Sequence, residues 1–396
     1  MRASNRPAGA VQQTPAGTSG APGQHDHATR LPSITGLRFI AAFGVFGYHV
    51  LPLAPRWGVL HPLLMAGQAG VSFFFVLSGF VLTWSDRPGD GAVNFWRRRV
   101  ARIVPTHLLT WAVGIPVTLA VFGALPRLWP LVGTFTLTQA WFPDKSVFFG
   151  VNGVAWSLSC EALFYALFPV LIVVVRRTGA RSRLWLMAGC VLTLAVWQLG
   201  LWFVTGGAVG DAVRVAFWLV SVIPLGRLPE FVLGMLAARH LAAADERAAS
   251  TGTPAVWLGG LRLPGIASTA LLTLIALYLA GCFPIVVIAG WLTVVPFVLL
   301  ICAAAQSDLS GRPGLLATTW AVRLGEWSFA FYMCHQLVLR SVQWLAGRLL
   351  GWSPPVHGWW PLQIGVDLAL ALLAAALCYR YLEVPAERRL RPIRRG

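Results

Sequence analysis

The stretch "LPSITGLRFIAAFGVFGYHVLPL", residues 31–53, decides the fold. It is long and apolar enough to cross a bilayer as one helix, which needs about 20 such residues. Yet it carries Arg38 and His49. Ionisable groups in hydrocarbon cost several kcal/mol unless they face a cavity or a partner. Eleven residues apart on a helix, the two are separated by about 16 Å of rise and only about 20° of rotation. That spacing predicts a polar track along one helix face, with Arg38 near one mouth and His49 deeper. An arginine snorkelling to headgroups, plus a histidine satisfied by a nearby carbonyl, would give the same spacing without a site.

The rest of the chain reads the same way. Of its 396 residues 57% are hydrophobic and only 11% charged, and the mean hydropathy is +0.69. A soluble fold has no place for that much apolar surface, so the composition predicts an all-α, polytopic integral membrane protein. Apolar runs near 34–53, 69–85, 106–125, 154–175, 184–204, 213–238, 266–281, 284–304, 324–347 and 361–382 predict about ten transmembrane helices. A shorter run, "WPLVGTFTLTQAWF" at 129–142, reads equally as a re-entrant segment or an eleventh span. Residues 1–30, rich in Gly, Pro, Ala, Ser and Thr with no long apolar core, are expected to be a disordered tail rather than a signal or transit peptide. The membrane domain is expected over 31–388 and a basic tail over 389–396. No repeat of a transporter-like kind is evident.

A formal charge of +17 would suit nucleic acid only if gathered on a soluble surface. Here the basic residues sit in short clusters between apolar runs. With ten spans they crowd into the tail, 86–105, 176–183, 239–265, 305–323 and the stretch from Arg380 onward. The opposite connections keep only Arg56, Arg127, Lys145, Arg214 and Arg348. The positive-inside rule then predicts cytoplasmic N- and C-termini, with anionic lipid headgroups as the neighbours of the basic clusters. The six cysteines lie in or at the ends of apolar runs without CxxC spacing, so free thiols are expected rather than disulfides or zinc. His25 and His27 alone do not make a metal site.

Several more polar residues stand where lipid would reject them. Ser157, Glu161 and Tyr165 in "WSLSCEALFY" fall at i, i+4 and i+8 on one helical face. Glu161 is expected to find a cation or a histidine there. Pairing with His49 would fix the imidazole tautomer and make it a general base. A plain interhelical hydrogen bond is the competing reading. Arg227 and Glu230, three residues apart, either neutralise each other or line a cavity. His335 lies midway in the ninth span, where packing competes with catalysis. Arg97, Arg98, Arg99 and Arg102 in "FWRRRVAR" serve topology and lipid anchoring, or attract a cytoplasmic polyphosphate. No Walker A, GxGxxG, HExxH or GxSxG pattern is present.

In order, "GLRFIAAFGVFGYH", "GVSFFFVLSGFVL", the arginine-rich stretch, "WSLSCEALFY", "RLPEFVLGM", "EWSFAFYMCHQ" and "YLEVP" resemble the motifs of the acyltransferase-3 family of membrane acyl-CoA-dependent O-acyltransferases. The resemblance covers about 31 to 388. It implies a ten-helix enzyme of the bacterial cytoplasmic membrane that moves an acyl group, acetyl or another short chain, from acyl-CoA to a hydroxyl. The implied acceptor is a carbohydrate or a glycosylated or polyketide metabolite. Arg38 and His49 fall on the family's Arg, ten residues, His pair, Glu161 on its central acidic residue, and Arg227 and Glu230 on a polar pair. Some relatives continue into an esterase-like domain, which this chain is expected to lack.

The mechanism expected from these residues has His49 as general base, oriented by Glu161. Arg38, Arg97, Arg98, Arg99, Arg102, Ser157, Tyr165, Arg227, Glu230 and His335 bind the substrates. Acyl-CoA is the co-substrate and no permanently bound cofactor or metal is expected. A transient acyl-enzyme on Ser157 or His49 is the alternative route. A transporter or flippase using Arg38, His49, Glu161 and Glu230 as a proton or substrate path, and a catalytically silent partner of a glycan-assembly machine, are the alternatives of other classes.

Overall fold

The computed structural model describes residues 31–53, 57–86, 89, 91–204, 215–251, 263–282, 291–351 and 359–390. The expected tail at 1–30 and the last six residues of the basic stretch lie outside them. The described chain is helical, with no strand. The principal helices are α1 (Pro32–His49), α2 (His61–Ala66), α3 (Gly70–Trp84), α4 (Ala92–Phe122), α5 (Leu128–Thr136), α6 (Lys145–Phe148) and α7 (Trp156–Arg177). They continue as α8 (Ala180–Val204), α9 (Pro224–Thr251), α10 (Ile266–Gly281), α11 (Trp291–Leu309), α12 (Thr319–Leu350), α13 (Trp360–Cys378) and α14 (Val384–Leu390).

Eight helical stretches among the described residues are long and apolar enough to cross a membrane, α2 and α3 counting as one continuous stretch over Gly58–Trp84. The expected count of about ten is not reached on that measure, for two physical reasons. At 16 residues α10 is short for a span. α12 has ample length, but Arg323, Glu326, His335, Arg340 and Arg348 interrupt its apolar face. The ambiguous run at 129–142 does not cross: α5 is nine residues long and rises only about 13 Å. It lies beside α4, where Trp111 donates its indole N–H to Leu131 O at 3.1 Å.

The arginine-rich stretch is not a connection, as the hydropathy pattern suggested, but the first turns of α4. That helix ends at Gly123 with φ 71°, and α12 ends likewise at Gly351 with φ 67°, the left-handed closing residue that glycine adopts without strain. α7 and α8 are separated by only Thr178 and Gly179, and Arg176 at that corner pairs with Asp86.

The core gathers where small residues let backbones meet. A Cβ on Gly79 of α3 would strike Phe231 O of α9, and one on Gly234 of α9 would strike Val76 O of α3. In lipid, where no hydrophobic force drives helices together, such close approach is a main source of packing energy. Aromatic rings fill the space beside the contact. Phe164 stacks on Phe231 at 4.8 Å and meets Phe75 edge-on at 5.1 Å. α1 lies along α12 in the same way, with Gly325 of α12 against Thr35 O. These two close pairs hold the helices that carry the polar residues.

Candidate active site

Arg38 and His49 open onto different spaces at opposite ends of α1. Arg38 lines a small polar cleft of about 280 Å³ with Arg98, Arg99, Arg102 and Glu387. His49 lines a cavity of about 970 Å³. α4 runs beside this axis in the same direction, giving Arg98, Arg99 and Arg102 to the cleft and Thr118 and Phe122 to the cavity.

The cleft follows from helical spacing in "FWRRRVAR". Arg98 and Arg102 are one turn apart and Arg99 is adjacent, so all three share a face. Arg97 points outward and is exposed. Arg102 is held by two carboxylates from the end of the chain, Glu387 at 2.6 Å and Glu383 at 3.7 Å. Glu383 is fully buried and accepts a hydrogen bond from Thr106 Oγ1 at 3.1 Å. These two acids were not singled out in the sequence, although their four-residue spacing in "YLEVPAE" was a legible signal.

Glu161 belongs to this end of the molecule. It accepts a hydrogen bond from Tyr165 at 3.0 Å, and its charged neighbours are Arg38, Arg99 and Arg102. The i, i+4 contact expected of Glu161 and Tyr165 is present, but no hydrogen bond joins Glu161 to His49. The pairing expected from the sequence is therefore corrected: Arg38 and His49 look alike on a helical wheel, but the carboxylate sits at the depth of the arginine. Ser157 turns elsewhere again, to Tyr332 Oη at 2.9 Å and Val154 O at 3.1 Å.

His49 instead meets His335 of α12, with His335 Nε2 3.2 Å from His49 Nδ1. Val45 O is 2.9 Å from the same Nδ1. Arg340, one turn and a half beyond His335, lines the cavity too, with its guanidinium 5.8 Å over the Phe122 ring. Gly153 makes room for this group, since a Cβ there would strike Gln336 Oε1. Neither Gln336 nor Arg340 was marked in the sequence as a site residue.

Arg227 reaches the cavity and pairs with buried Glu230 at 3.2 Å. It also donates to Ser72 Oγ at 2.8 Å and lies 5.3 Å over the Phe75 ring. Both readings of the Arg227–Glu230 spacing thus hold at once, neutralisation and cavity lining. The cavity wall is completed by the segment between α4 and α7, which supplies Arg127, Asp144, Lys145 and Phe149, and by Trp156 at the start of α7. Asp144 is engaged as the cap of α6, accepting from Ser146 N at 2.8 Å.

A cationic cleft and a roomy cavity set along one helix suit a reaction between an anionic donor and a bulky acceptor. Comparison with known proteins agrees with a transfer reaction. The family model described as an acyltransferase domain, acyltransferase-3, matches residues 31–381. The acyltransferase MdmB of Streptomyces mycarofaciens is 36% identical over 92% of this chain and 94% of its own length. The O-acetyltransferase OatA of Staphylococcus aureus is 25% identical over 91% of this chain and 57% of its own length. No solved structure matches. With the family model covering nearly all of the described chain and a relative at this level of identity along more than nine-tenths of both chains, the chain belongs to the acyltransferase-3 family of O-acyltransferases.

Proposed function

We propose that this protein is a multi-pass enzyme of the cell membrane that moves a short acyl group from acyl-CoA to a hydroxyl of a carbohydrate or of a glycosylated or polyketide acceptor, with His49 as general base. The observation that carries the reading is the placement of Arg38 in a cluster of arginines and of His49 in a large cavity, about 16 Å apart along α1. An extended phosphopantetheine arm covers that distance. Phosphates held by Arg38, Arg98, Arg99 and Arg102 would leave the thioester beside His49, and Arg suits phosphate because its planar fork bonds two oxygens at once. An even number of spans puts both termini on one side, and the positive-inside rule makes that side, with the cleft, the cytoplasmic one.

In the transfer step His49 Nε2 removes the acceptor's hydroxyl proton as that oxygen attacks the thioester carbonyl carbon. The tetrahedral intermediate collapses by breaking the C–S bond, and the proton on His49 passes to the departing CoA thiolate. Nothing is oxidised or reduced, and no resident cofactor is required. Holding both substrates in one largely apolar cavity turns a bimolecular encounter into an oriented one.

The test is release of free CoA by purified wild type and His49→Ala, matched for folded protein, with acetyl-CoA and a panel of sugar and macrolide hydroxyl acceptors. Acceptor-dependent release in the wild type, lost in the variant, is the expected result. Equal release by both removes His49 from the chemistry. No release with any acyl-CoA, alongside movement of a solute across proteoliposomes, overturns the transferase reading.

A further inference from the structure

His49 closes α1 and His335 lies midway along α12, so the contact between their rings, 5.0 Å between centroids, joins two ends of the chain. What each ring touches besides the other decides its chemistry. His335 Nδ1 is 2.7 Å from Tyr332 O and 3.2 Å from Phe331 O. His49 Nδ1 is 2.9 Å from Val45 O. A carbonyl oxygen can only accept, so each Nδ1 must carry the hydrogen. In the neutral rings each Nε2 is then a lone pair. His335 Nε2 accepts from His49 Nδ1–H at 3.2 Å, and every contact is matched donor to acceptor.

The other assignments fail. A hydrogen on His335 Nε2 leaves its Nδ1 lone pair facing Tyr332 O and the His49 Nδ1 lone pair facing Val45 O. A hydrogen on His49 Nε2 leaves its Nδ1 lone pair facing both Val45 O and His335 Nε2. Among the described residues no group bonds His49 Nε2, and the ring lines the cavity.

We propose that His335 is a positioning residue that holds His49 with Nδ1 protonated and the Nε2 lone pair turned to the cavity, a neutral imidazole standing where hydrolytic triads carry a carboxylate. The inference rests on His49 acting as the base. When His49 takes the acceptor's proton, the new positive charge is shared through Nδ1–H with an acceptor already in place. A carboxylate would do this more strongly, but would bury a permanent negative charge at membrane depth before any substrate arrived. The neutral partner also explains why Glu161 is free to serve the arginine end.

The first test uses wild-type protein labelled with 15N-histidine in nanodiscs. The expected result is a 15N–15N coupling across the hydrogen bond between His49 Nδ1 and His335 Nε2, with His49 Nε2 unprotonated. A missing coupling or a protonated His49 Nε2 overturns the proposal. The second test compares His335→Leu with His335→Gln, whose Oε1 can accept in place of Nε2. The Leu variant is expected to lose about 10–100-fold in kcat with both KM values unchanged, and the Gln variant to recover most of it. Equal losses in the two variants, or no loss in either, overturn it. Full activity in His49→Ala would instead remove the base reading while leaving the wild-type coupling in place, so the two failures are distinguishable.

Discussion

Arg102 of α4 is gripped by Glu387 of α14 at 2.6 Å, so the end of the described chain holds an arginine of the cleft in position. Glu383, fully buried, stands 3.7 Å from the same guanidinium and ties it to Thr106. Removing one partner of a buried ion pair leaves the other charge uncompensated. Because Glu387 remains, Glu383→Ala is expected to cost about 2–4 kcal/mol rather than the most a buried pair can cost. Thermal unfolding in detergent measures this. Glu383→Gln, which still accepts from Thr106, should unfold between wild type and the alanine variant, and an unchanged midpoint in Glu383→Ala would show that Glu387 alone suffices.

The four arginines of "FWRRRVAR" should divide sharply by function. Arg98, Arg99 and Arg102 line the cleft with Arg38, whereas Arg97 is exposed outside it. Arg38→Ala and Arg99→Ala are expected to raise KM for acyl-CoA by about tenfold or more, the loss of about one charge-assisted hydrogen bond to phosphate. Arg97→Ala should leave KM within about twofold. A uniform rise across all four would mean that the cluster acts as a diffuse field and not as a built cleft.

Much of this arrangement is legible in the sequence, and what is not has identifiable causes. Composition and hydropathy gave a helical membrane protein because bilayer length leaves few alternatives. Helical spacing put Arg38 and His49 on one face and Glu161 beside Tyr165, since both are local relations within one helix. The partner of His49 is a different kind of fact. His335 lies on a helix remote in sequence, and only the packing of α1 on α12 brings the rings together. Depth also misled: Glu161 looked like the orienting carboxylate until α7 placed it at the level of Arg38. The start of α4 was hidden because charged residues suppress hydropathy without weakening a helix, arginine being among the better helix formers.

Ser157 is an unpromising nucleophile. The residue is 5% exposed, its hydroxyl is bonded to Tyr332 and Val154, and it is not part of the cavity wall. Ser157→Ala is expected to keep kcat within about tenfold, the loss coming from Tyr332, which does line the cavity and gives up a bond worth about 1 kcal/mol. Intact-mass measurement after incubation with acyl-CoA alone should show unmodified protein. An acyl adduct mapped to Ser157 would replace direct transfer with a two-step route.

The reciprocal contact of Gly79 and Gly234 predicts that a single methyl group is harmful there. Each added Cβ meets a carbonyl oxygen of the facing helix, which cannot rotate away as a side chain could. Overpacking of this kind costs about 1–3 kcal/mol. α9 also carries Arg227 and α3 carries Ser72, so separating the helices lengthens their 2.8 Å hydrogen bond at the cavity wall. Gly234→Ala should therefore lose both folded yield and kcat. Gly189→Ala, where nothing lies near the added group, is the control expected to match wild type.

The side of the membrane to which the cavity opens can be read from a single residue. Lys145 is the only lysine in these 396 residues, so labelling there is distinguished from labelling of the α-amino group by one peptide. It is exposed on α6 and belongs to the cavity wall, at the end of α1 opposite the arginine cleft. If the cleft faces the cytoplasm, as the positive-inside rule predicts, an amine-reactive reagent that cannot cross the membrane should label intact cells at Lys145 and spare the N-terminus. Peptide mapping of the purified protein reads the site directly. Inverted vesicles should reverse the pattern, and a saturating acceptor should slow labelling of Lys145 because both compete for one mouth. Labelling of the N-terminal amine in intact cells would invert the topology and place the arginine cleft on the side where no acyl-CoA is found.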